Sequence, residues 1–436
     1  MRPRTFDRPV LLSTTMRRLH AALLALLAPL CGAAPASAYS EADLRTKIGR
    51  EMRLAPVASG TYVRDMATGE ELYALRENTV RIPASVEKLF TTSSALLRLG
   101  PAATLRTSAV TASGTVVEPG GILRGDLVLV GGGDPFFGDG SGSSARLAHS
   151  VSAAGIRRIA GAVVGDESAF DARRSGCCRA YDRDLGGVLS ALAYDRGVFR
   201  GRARLDAGRF AAARFVKQLR AAGVAVTGAG RAGAAPANAT TIAFVPSMPV
   251  GELARYINVP SNNFAAEMLF KELGARYRDA GTTAAGADVV RDTLDDFGVR
   301  PRIVDGSGLS RVNRATPRQV VRLLERMRNR DVATTFRASL AVTGATGTVK
   351  SRMRGTPATG RCQVKTGTLR GVSALAGYCR AAGGRDIGFA LMSNRANTHA
   401  AKAREDRIVA AIARLSDAPS APPPEGGTEP QPARRG

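Results

Sequence analysis

The feature that most constrains the fold is a change of character inside the chain. Both ends combine helical patterns with strands, whereas residues 104–245 are rich in glycine and contain short alternating strands such as Leu127–Val130. Strands at both ends with helices between them indicate one α/β domain made of two separated segments. We therefore predict an α/β (α+β) domain from residues 39–103 and 246–416, interrupted by an inserted, strand-rich domain at 104–245.

The sequence predicts a short helix at the start of residues 41–103 and five further helices in the two outer segments. The five further helices cover approximately residues 84–98, 250–256, 264–273, 317–327 and 400–414. Gly100 is expected to end the first of these helices, because glycine adopts the left-handed conformation of a helix C-cap without strain.

Both termini lie outside the predicted domains. Residues 1–38 resemble an export signal, with an Arg17-Arg18 pair, an apolar stretch from Ala21 to Leu30 and a cleavage site at Ala36-Ser37-Ala38. Export to a periplasm or cell-wall space follows, and an uncleaved signal would leave a membrane anchor. Residues 417–436 are rich in Pro, Gly and Glu and are predicted to be a disordered tail.

Cleavage of the signal would leave four cysteines, an even number that suits an oxidising compartment. Cys362 and Cys379 flank two strand-like runs and lie symmetrically about Arg370-Gly371. This arrangement predicts a hairpin with a cross-strand disulfide. Cys177 and Cys178 are adjacent, and the sequence does not say whether they pair.

The charge balance excludes one class of protein. The formal net charge is +25, but only seven of the 62 basic residues are Lys, and the arginines are scattered along the whole chain. No zinc-finger spacing, aromatic ribonucleoprotein motif or basic block accompanies the charge, so nucleic-acid binding is not expected. A polyanionic neighbour such as a cell wall remains open.

The residue content also argues against several kinds of catalytic and cofactor site. The chain has three histidines, His20, His149 and His399, which are too few for a histidine-rich metal site and leave few candidates for a Ser-His-Asp site. The glycine pattern at Gly228–Gly233 lacks the helix that dinucleotide binding needs. Gly131–Gly133 lacks the Gly-Lys-Ser/Thr of a phosphate loop. We expect neither a metal nor an organic cofactor.

One pair of residues fits nucleophilic catalysis. Ser85 lies where a helix should begin after Pro83, and Lys88 follows one turn later on the same face. A serine hydroxyl needs a base to take its proton, and a buried lysine can serve if its pKa is lowered. Taken alone, the pair could equally be a serine at a helix start and a surface lysine.

Two further motifs strengthen this hypothesis. Ser261-Asn262-Asn263 precedes a predicted helix, and Lys365-Thr366-Gly367-Thr368 ends a predicted strand. An N-cap serine and a strand end are the ordinary alternatives for these two motifs. However, Ser-x-x-Lys, Ser-x-Asn and Lys-Thr-Gly each occur once in the chain, in this order.

With these motifs the chain resembles the serine penicillin-recognising enzymes. It is most similar to the low-molecular-mass class C penicillin-binding proteins, the D-alanyl-D-alanine carboxypeptidase/endopeptidase group, from about residue 41 to 415. Further stretches that carry the resemblance are Gly125–Pro135, Gly165–Phe170 and Asp305–Ser310. The family has an insertion between its first two motifs, which agrees with the 176 residues between Ser85 and Ser261.

The resemblance implies a role for each motif residue. Ser85 would be the acylated nucleophile and Lys88 its base. Ser261 and Asn263 would complete the proton relay and hold the substrate amide, and Lys365 would supply positive charge. Thr366 and Thr368 would bind the terminal carboxylate of the substrate, and the backbone N–H groups of Ser85 and Thr368 would form the oxyanion hole. Gly367 is the third implied substrate-binding position.

The implied substrates are peptidoglycan stem peptides, with β-lactam antibiotics as covalent inhibitors. A serine β-lactamase or esterase of the same superfamily is the alternative enzyme, disfavoured by the long insertion, and a wall-binding protein is the alternative outside enzymes.

Glu87 is expected to point away from the Ser85–Lys88 face and is assigned no role. Asp166 or Asp171 is a candidate to bind a diamino-acid ammonium, although each also fits a turn. The oligomeric state is not predicted.

Overall fold

The computed structural model describes residues 38–176 and 180–417. The predicted signal, nearly all of the predicted tail, and Cys177 and Cys178 lie outside these residues. Asp417, which the prediction placed in the tail, is described, and its carboxylate accepts a hydrogen bond from the backbone N–H of Glu41 at 3.0 Å. In the described part, no helix is long and apolar enough to cross a membrane.

The first segment contains two helices and two strands, and a 3-10 turn at Ala84–Glu87 leads into the second helix. These elements are α1 (Glu41–Arg53), β1 (Ser59–Asp65), β2 (Glu71–Leu75) and α2 (Lys88–Leu99). A capping box begins α1, because Ser40 and Asp43 each accept a hydrogen bond from the backbone N–H of the other. Gly100 ends α2 with a φ of +83°, as predicted.

The middle block contains short strands and two helices. In chain order they are β3 (Arg106–Thr111), β4 (Val117–Glu118), β5 (Ile122–Leu123), β6 (Leu127–Val130), α3 (Ser143–Ala153), β7 (Arg158–Ile159), β8 (Val163–Asp166), β9 (Val198–Phe199), β10 (Arg202–Ala203), α4 (Ala207–Ala221), β11 (Ala225–Val226), β12 (Arg231–Ala232) and β13 (Thr240–Pro246). The strands form sheets in the orders β12-β8-β6-β3-β13, β11-β7-β5-β4 and β10-β9. The glycine run at Gly228–Gly233 leads through β12 to β13 rather than into a helix, as expected.

The last segment contains the helices α5 (Val250–Asn258), α6 (Asn263–Arg278), α7 (Thr283–Asp295), α8 (Pro317–Arg328) and α9 (Ala333–Ala338), followed by β14 (Ala341–Val342), β15 (Cys362–Leu369), β16 (Val372–Arg380), β17 (Asp386–Asn394) and α10 (Thr398–Arg414). The predicted helices of this segment are confirmed as α5, α6, α8 and α10, while α7 and α9 were not predicted.

An antiparallel six-stranded sheet, in the order β14-β15-β16-β17-β1-β2, joins the two outer segments. Successive side chains of a strand point to opposite faces, and the core divides accordingly. Ala374, Ala376 and Tyr378 pack with helices α2 and α5 to α9, whereas Leu375 and Cys379 pack with α1 and α10. The predicted α/β architecture is confirmed.

The predicted hairpin is also confirmed. In β15 and β16, Cys362 lies directly opposite Cys379, and the two residues form a disulfide with an S–S distance of 2.03 Å. The bridge fixes the end of the hairpin that is farther from the Arg370-Gly371 turn.

The domain boundaries themselves remain our proposal. The inserted block has its own apolar cluster, drawn only from residues between 109 and 245, which supports the proposed division. A smaller cluster joins the block to α6, where Phe170 and Leu189 lie with Phe264 and Met268. This contact brings one edge of the inserted block to the start of α6.

Candidate active site

Ser85 lies in the tight turn that leads into α2. Ala84, the residue before it, is buried and has a φ of +49°, a left-handed conformation that is unusual for a residue with a side chain. Lys88 is the first residue of α2, and its Nζ lies 2.9 Å from Ser85 Oγ. The predicted helix therefore begins as a 3-10 turn, and the Ser85–Lys88 pair lies at hydrogen-bonding distance.

The second motif lies in the loop between α5 and α6. Ser261 has a φ of +62°, and the side chain of Asn262, rather than Ser261, caps α6 by accepting the N–H of Ala265. Asn263 bridges two parts of the chain. Its Oδ1 accepts a hydrogen bond from Lys88 Nζ at 2.7 Å, and its Nδ2 donates to the carbonyl oxygen of Asp184 in the inserted block at 2.8 Å.

The third motif lies on β15. Lys365 Nζ donates to Ser261 Oγ and to the carbonyl oxygen of Thr366, both at 2.8 Å. Thr366 shares a hydrogen bond of 2.7 Å with Thr348, whereas Thr368 is exposed. The motif residues therefore form two hydrogen-bonded groups, Ser85–Lys88–Asn263 and Ser261–Lys365. The two groups are close enough for the charge of Lys88 to act on Lys365.

Gly367 is required by a close approach between β15 and the Ser85 turn. A Cβ at this position would lie 2.5 Å from the carbonyl oxygen of Pro83 and 3.1 Å from the backbone nitrogen of Ser85. No other residue type fits there without a shift of the backbone. The absence of a side chain lets the backbone of β15 pass directly beside the amide of Ser85.

Comparison with known proteins agrees with this geometry. The model of the D-Ala-D-Ala carboxypeptidase 3 (S13) family matches residues 42–183 and 186–415. The chain belongs to this family. It is 31% identical to a D-alanyl-D-alanine carboxypeptidase of Actinomadura sp. (strain R39), over 88% of each chain. The predicted family and the predicted serine-type carboxypeptidase activity are confirmed.

Solved structures share the fold of this S13 peptidase. Penicillin-binding protein 4 of Haemophilus influenzae superposes with a TM-score of 0.71 at 21% identity, covering 84% of this chain and 98% of the other. A peptidoglycan endopeptidase of Bdellovibrio bacteriovorus superposes with a TM-score of 0.51 at 17% identity, covering 77% and 85%.

The two lysines of the S13 peptidase site are fully buried. Burial lowers the pKa of Lys88 to about 7, against the opposing effect of nearby carboxylates. Burial, followed by the charge of Lys88, lowers the pKa of Lys365 well below its ordinary value. Loss of hydration disfavours an ammonium ion, and two neighbouring cations disfavour each other. Near neutral pH, a lysine of this site can therefore be uncharged and accept a proton.

Three carboxyl groups lie behind Lys88, and the sequence analysis assigned none of them a role. Glu87 is fully buried and forms no hydrogen bond within the described residues, and burial and then Asp305 and Glu267 raise its pKa well above the usual value. Burial and then Asp305 raise the pKa of Glu267 to about 7. Glu87 was expected to point away from the Ser85–Lys88 face, and it faces these carboxyl groups in the protein interior.

A backbone connection links Glu267 to Lys88. Glu267 Oε1 accepts the N–H of Ser307 at 2.7 Å, and the carbonyl oxygen of Ser307 accepts a hydrogen bond from Lys88 Nζ at 2.5 Å. Asp305 holds the same loop by accepting the N–H groups of Gly308 and Ser310. Sequence reasoning noticed the Asp305–Ser310 stretch only as part of the family resemblance.

The two acidic candidates of the inserted block already have partners. Asp166 is buried and accepts backbone N–H groups from Ser168 and Ala235. Asp171 forms an ion pair of 2.6 Å with the buried Lys271. A role for either residue in binding a diamino-acid ammonium therefore gains no support from its contacts. Within residues 38–176 and 180–417, no group of three or more histidine, cysteine or acidic side chains is placed to hold a metal ion.

Proposed function

We propose that this S13 peptidase hydrolyses the terminal D-Ala–D-Ala bond of peptidoglycan stem peptides through an acyl-enzyme on Ser85. The observation that carries the proposal is the 2.9 Å contact between Ser85 Oγ and the Nζ of a fully buried lysine. A nucleophile and a base within hydrogen-bond reach, with the base oriented by a third group, is the arrangement that covalent catalysis needs. Asn263 is that third group.

In the acylation step, neutral Lys88 takes the proton of Ser85 as Oγ attacks the carbonyl carbon of the penultimate D-Ala. The oxyanion that forms would be stabilised by the backbone N–H groups of Ser85 and Thr368, and the close passage of β15 at Gly367 supports this pairing. The carbon–nitrogen bond then breaks, the leaving amine receives a proton, and free D-alanine departs. Water attacks the ester in the second half-reaction and releases the shortened peptide.

The remaining residues would protonate the leaving group and bind the substrate. Ser261 Oγ accepts a hydrogen bond from Lys365, so it would pass a proton to the leaving amine. Lys365 and Thr368 would bind the terminal carboxylate of the substrate, with Thr366 fixing the strand through Thr348. Asn263 would hold the substrate amide as well as Lys88.

The same site would cut a D-Ala to diamino-acid cross-link as an endopeptidase. Penicillin would acylate Ser85, because its lactam resembles the D-Ala–D-Ala terminus. We further propose that the protein is exported and acts in the periplasm or cell-wall space, as the features of residues 1–38 suggest.

The test is release of D-alanine from a D-Ala–D-Ala-terminated stem peptide by wild type and by Ser85→Ala. The proposal expects turnover by wild type and none by the variant. A protein that hydrolyses penicillin rapidly but releases no D-alanine would instead be the β-lactamase alternative. A protein whose wall affinity survives while neither substrate is turned over would be the wall-binding alternative.

A further inference from the structure

A second charged site lies beside the catalytic cleft. It is a groove of about 620 Å³ whose lining contains six arginines and no carboxylate. We call it the arginine groove, and its arginines are Arg76, Arg81, Arg311, Arg314, Arg370 and Arg395.

The groove arginines are held by neutral groups. Arg81 is buried and donates to the backbone carbonyl oxygens of four residues, and Arg314 donates to two such oxygens. Arg370 and Arg395 are exposed, and their side chains form no hydrogen bond in the described part of the chain. Across residues 38–176 and 180–417, none of the six arginines forms an ion pair, unlike Arg318, Arg337 and Arg385 elsewhere in the protein.

A second arginine-lined cavity differs from the arginine groove because a carboxylate pairs with its arginines. It measures about 730 Å³ and contains Arg328, Arg337, Arg361 and Arg380 around one carboxylate, Asp386. Asp386 pairs with Arg337 at 2.7 Å and with Arg328 at 3.6 Å, so two of the four charges there have a partner. In the arginine groove no arginine has an ion-pair partner among the described residues. Burial and then the charge of Arg76 lower the pKa of Arg81 to about 10.

Three arginines of the groove lie close in the sequence to residues of the catalytic site. Arg370 follows the end of β15, two residues after Thr368, and Arg81 lies four residues before Ser85. Arg311 follows the Asp305–Ser310 loop. An anionic chain in this groove would therefore approach the cleft from the side of the β15–β16 turn.

We propose that the arginine groove binds closely spaced anionic groups, carboxylate or phosphate, on the wall polymer that carries the stem peptide. The identity of the polymer rests on the proposed function. Guanidinium groups present a planar pair of donors that matches the two oxygens of a carboxylate or phosphate. Several such contacts with one polymer raise the overall affinity, so the polymer binds more tightly than a single small anion.

The test is cosedimentation of the full chain with insoluble cell walls at low and high salt. The groove variant is Arg370→Gln/Arg395→Gln. The matched control is Arg361→Gln/Arg380→Gln, which also removes two exposed arginines whose side chains form no hydrogen bond or ion pair within the described residues. We expect the groove variant to bind on the order of tenfold more weakly at low salt and the control to stay within about twofold of wild type. High salt should bring wild type close to the groove variant.

Chemically treated walls identify the anion. Loss of wild-type binding after acid removal of phosphate-bearing polymers would assign phosphate, and loss after amidation of wall carboxyls would assign carboxylate. Unchanged binding after both treatments, or equal weakening of the groove variant and the control, would overturn the proposal. Melting temperature and penicillin adduct formation establish that each variant is folded. Binding needs no turnover, so a wild type that binds walls without forming an adduct would contradict the Ser85 mechanism alone.

Discussion

The catalytic cleft and the arginine groove both concentrate positive charge, but they do so in opposite ways. In the cleft, Lys88 and Lys365 are fully buried, and desolvation lowers their pKa values. In the groove, Arg370 and Arg395 are exposed. The comparison shows that a buried lysine can serve as a base, whereas an exposed guanidinium group serves as a binding group.

Replacing the base with a permanent cation should have the largest effect. Lys88→Arg keeps a positive charge but removes a group that can be neutral near pH 7, so we expect penicillin acylation to slow by about 10³-fold or more. The rate of adduct formation by stopped-flow or mass measurement gives the answer. Arg370→Lys in the groove is the matched opposite change and should leave the acylation rate within about twofold. Near-normal acylation by Lys88→Arg would remove Lys88 as the base.

Glycine-to-alanine changes separate the tight cleft from the open groove. At Gly367 a Cβ would lie 2.5 Å from a backbone oxygen, so Gly367→Ala should displace β15 from Ser85 and slow acylation by about 10²-fold. At Gly371, which lines the groove, nothing lies within 4 Å, although φ is +74°. Gly371→Ala should lower the free energy of unfolding by about 1 kcal/mol and leave acylation unchanged. Equal acylation rates in the two variants would contradict the close approach.

Removing the carboxyl group of Glu267 should have a smaller effect, which appears in the pH dependence of acylation. Near and above its pKa of about 7, Glu267 carries a negative charge that raises the pKa of Lys88. Glu267→Gln removes this charge, while the amide oxygen can still accept the N–H of Ser307. The acid limb of the acylation profile should move to lower pH, with a gain of roughly threefold near pH 7. Glu272→Gln, on the same helix and paired with Arg276, is the control. A profile that does not move would show that Glu267 has no electrostatic effect on Lys88.

The free energy of unfolding gives an independent measurement of the effect of Glu267→Gln. The pKa of Glu267 is raised in the folded protein, so the folded state holds a proton that the unfolded state loses, and wild type loses stability as pH rises from about 4.5 to about 7. Denaturant unfolding of Glu267→Gln should show less of this loss. A pH dependence identical to that of wild type would contradict the assignment of a buried, protonated carboxyl group.

Loss of the disulfide should change function least. Cys362→Ala/Cys379→Ala opens a loop with a sequence separation of 17, which predicts a decrease of about 3 kcal/mol in the free energy of unfolding. The bridge lies at the end of β15 away from Arg370, so acylation and wall binding at 25 °C should both stay within about twofold. A large change in either would mean that the bridge positions the cleft or the groove.

The sequence predicted the elements whose local pattern is strong. The hairpin, the helices α5, α6, α8 and α10, and the Gly100 cap all follow from periodicity or turn chemistry. Helix α7 was missed, and Gly286 shows why, since this glycine packs against the backbone of Phe270 and contributes no apolar side chain to a helical pattern. The 3-10 turn at Ser85 was missed because Ala84 contacts Gly308, more than two hundred residues away in the chain.

The candidate site likewise contains residues that the sequence predicted and residues that it did not. Its motif residues were predicted because reactive side chains at fixed spacing are visible in a sequence. The groups that hold Lys88 and Asn263 were not predicted, because Ser307 accepts from Lys88, and Asp184 from Asn263, through backbone carbonyl oxygens, which every residue type has. Glu267 lies inside an apolar helix, and a carboxyl group in such a helix is the one signal that could have marked it.

The most direct test of the central claim is the intact mass of the protein before and after incubation with penicillin, for wild type and for Ser85→Ala. Our account predicts a single penicillin-sized adduct on wild type, mapped to Ser85, and none on the variant. An adduct on Ser85→Ala, or no adduct on folded wild type without hydrolysis of the drug, would contradict the acyl-enzyme mechanism.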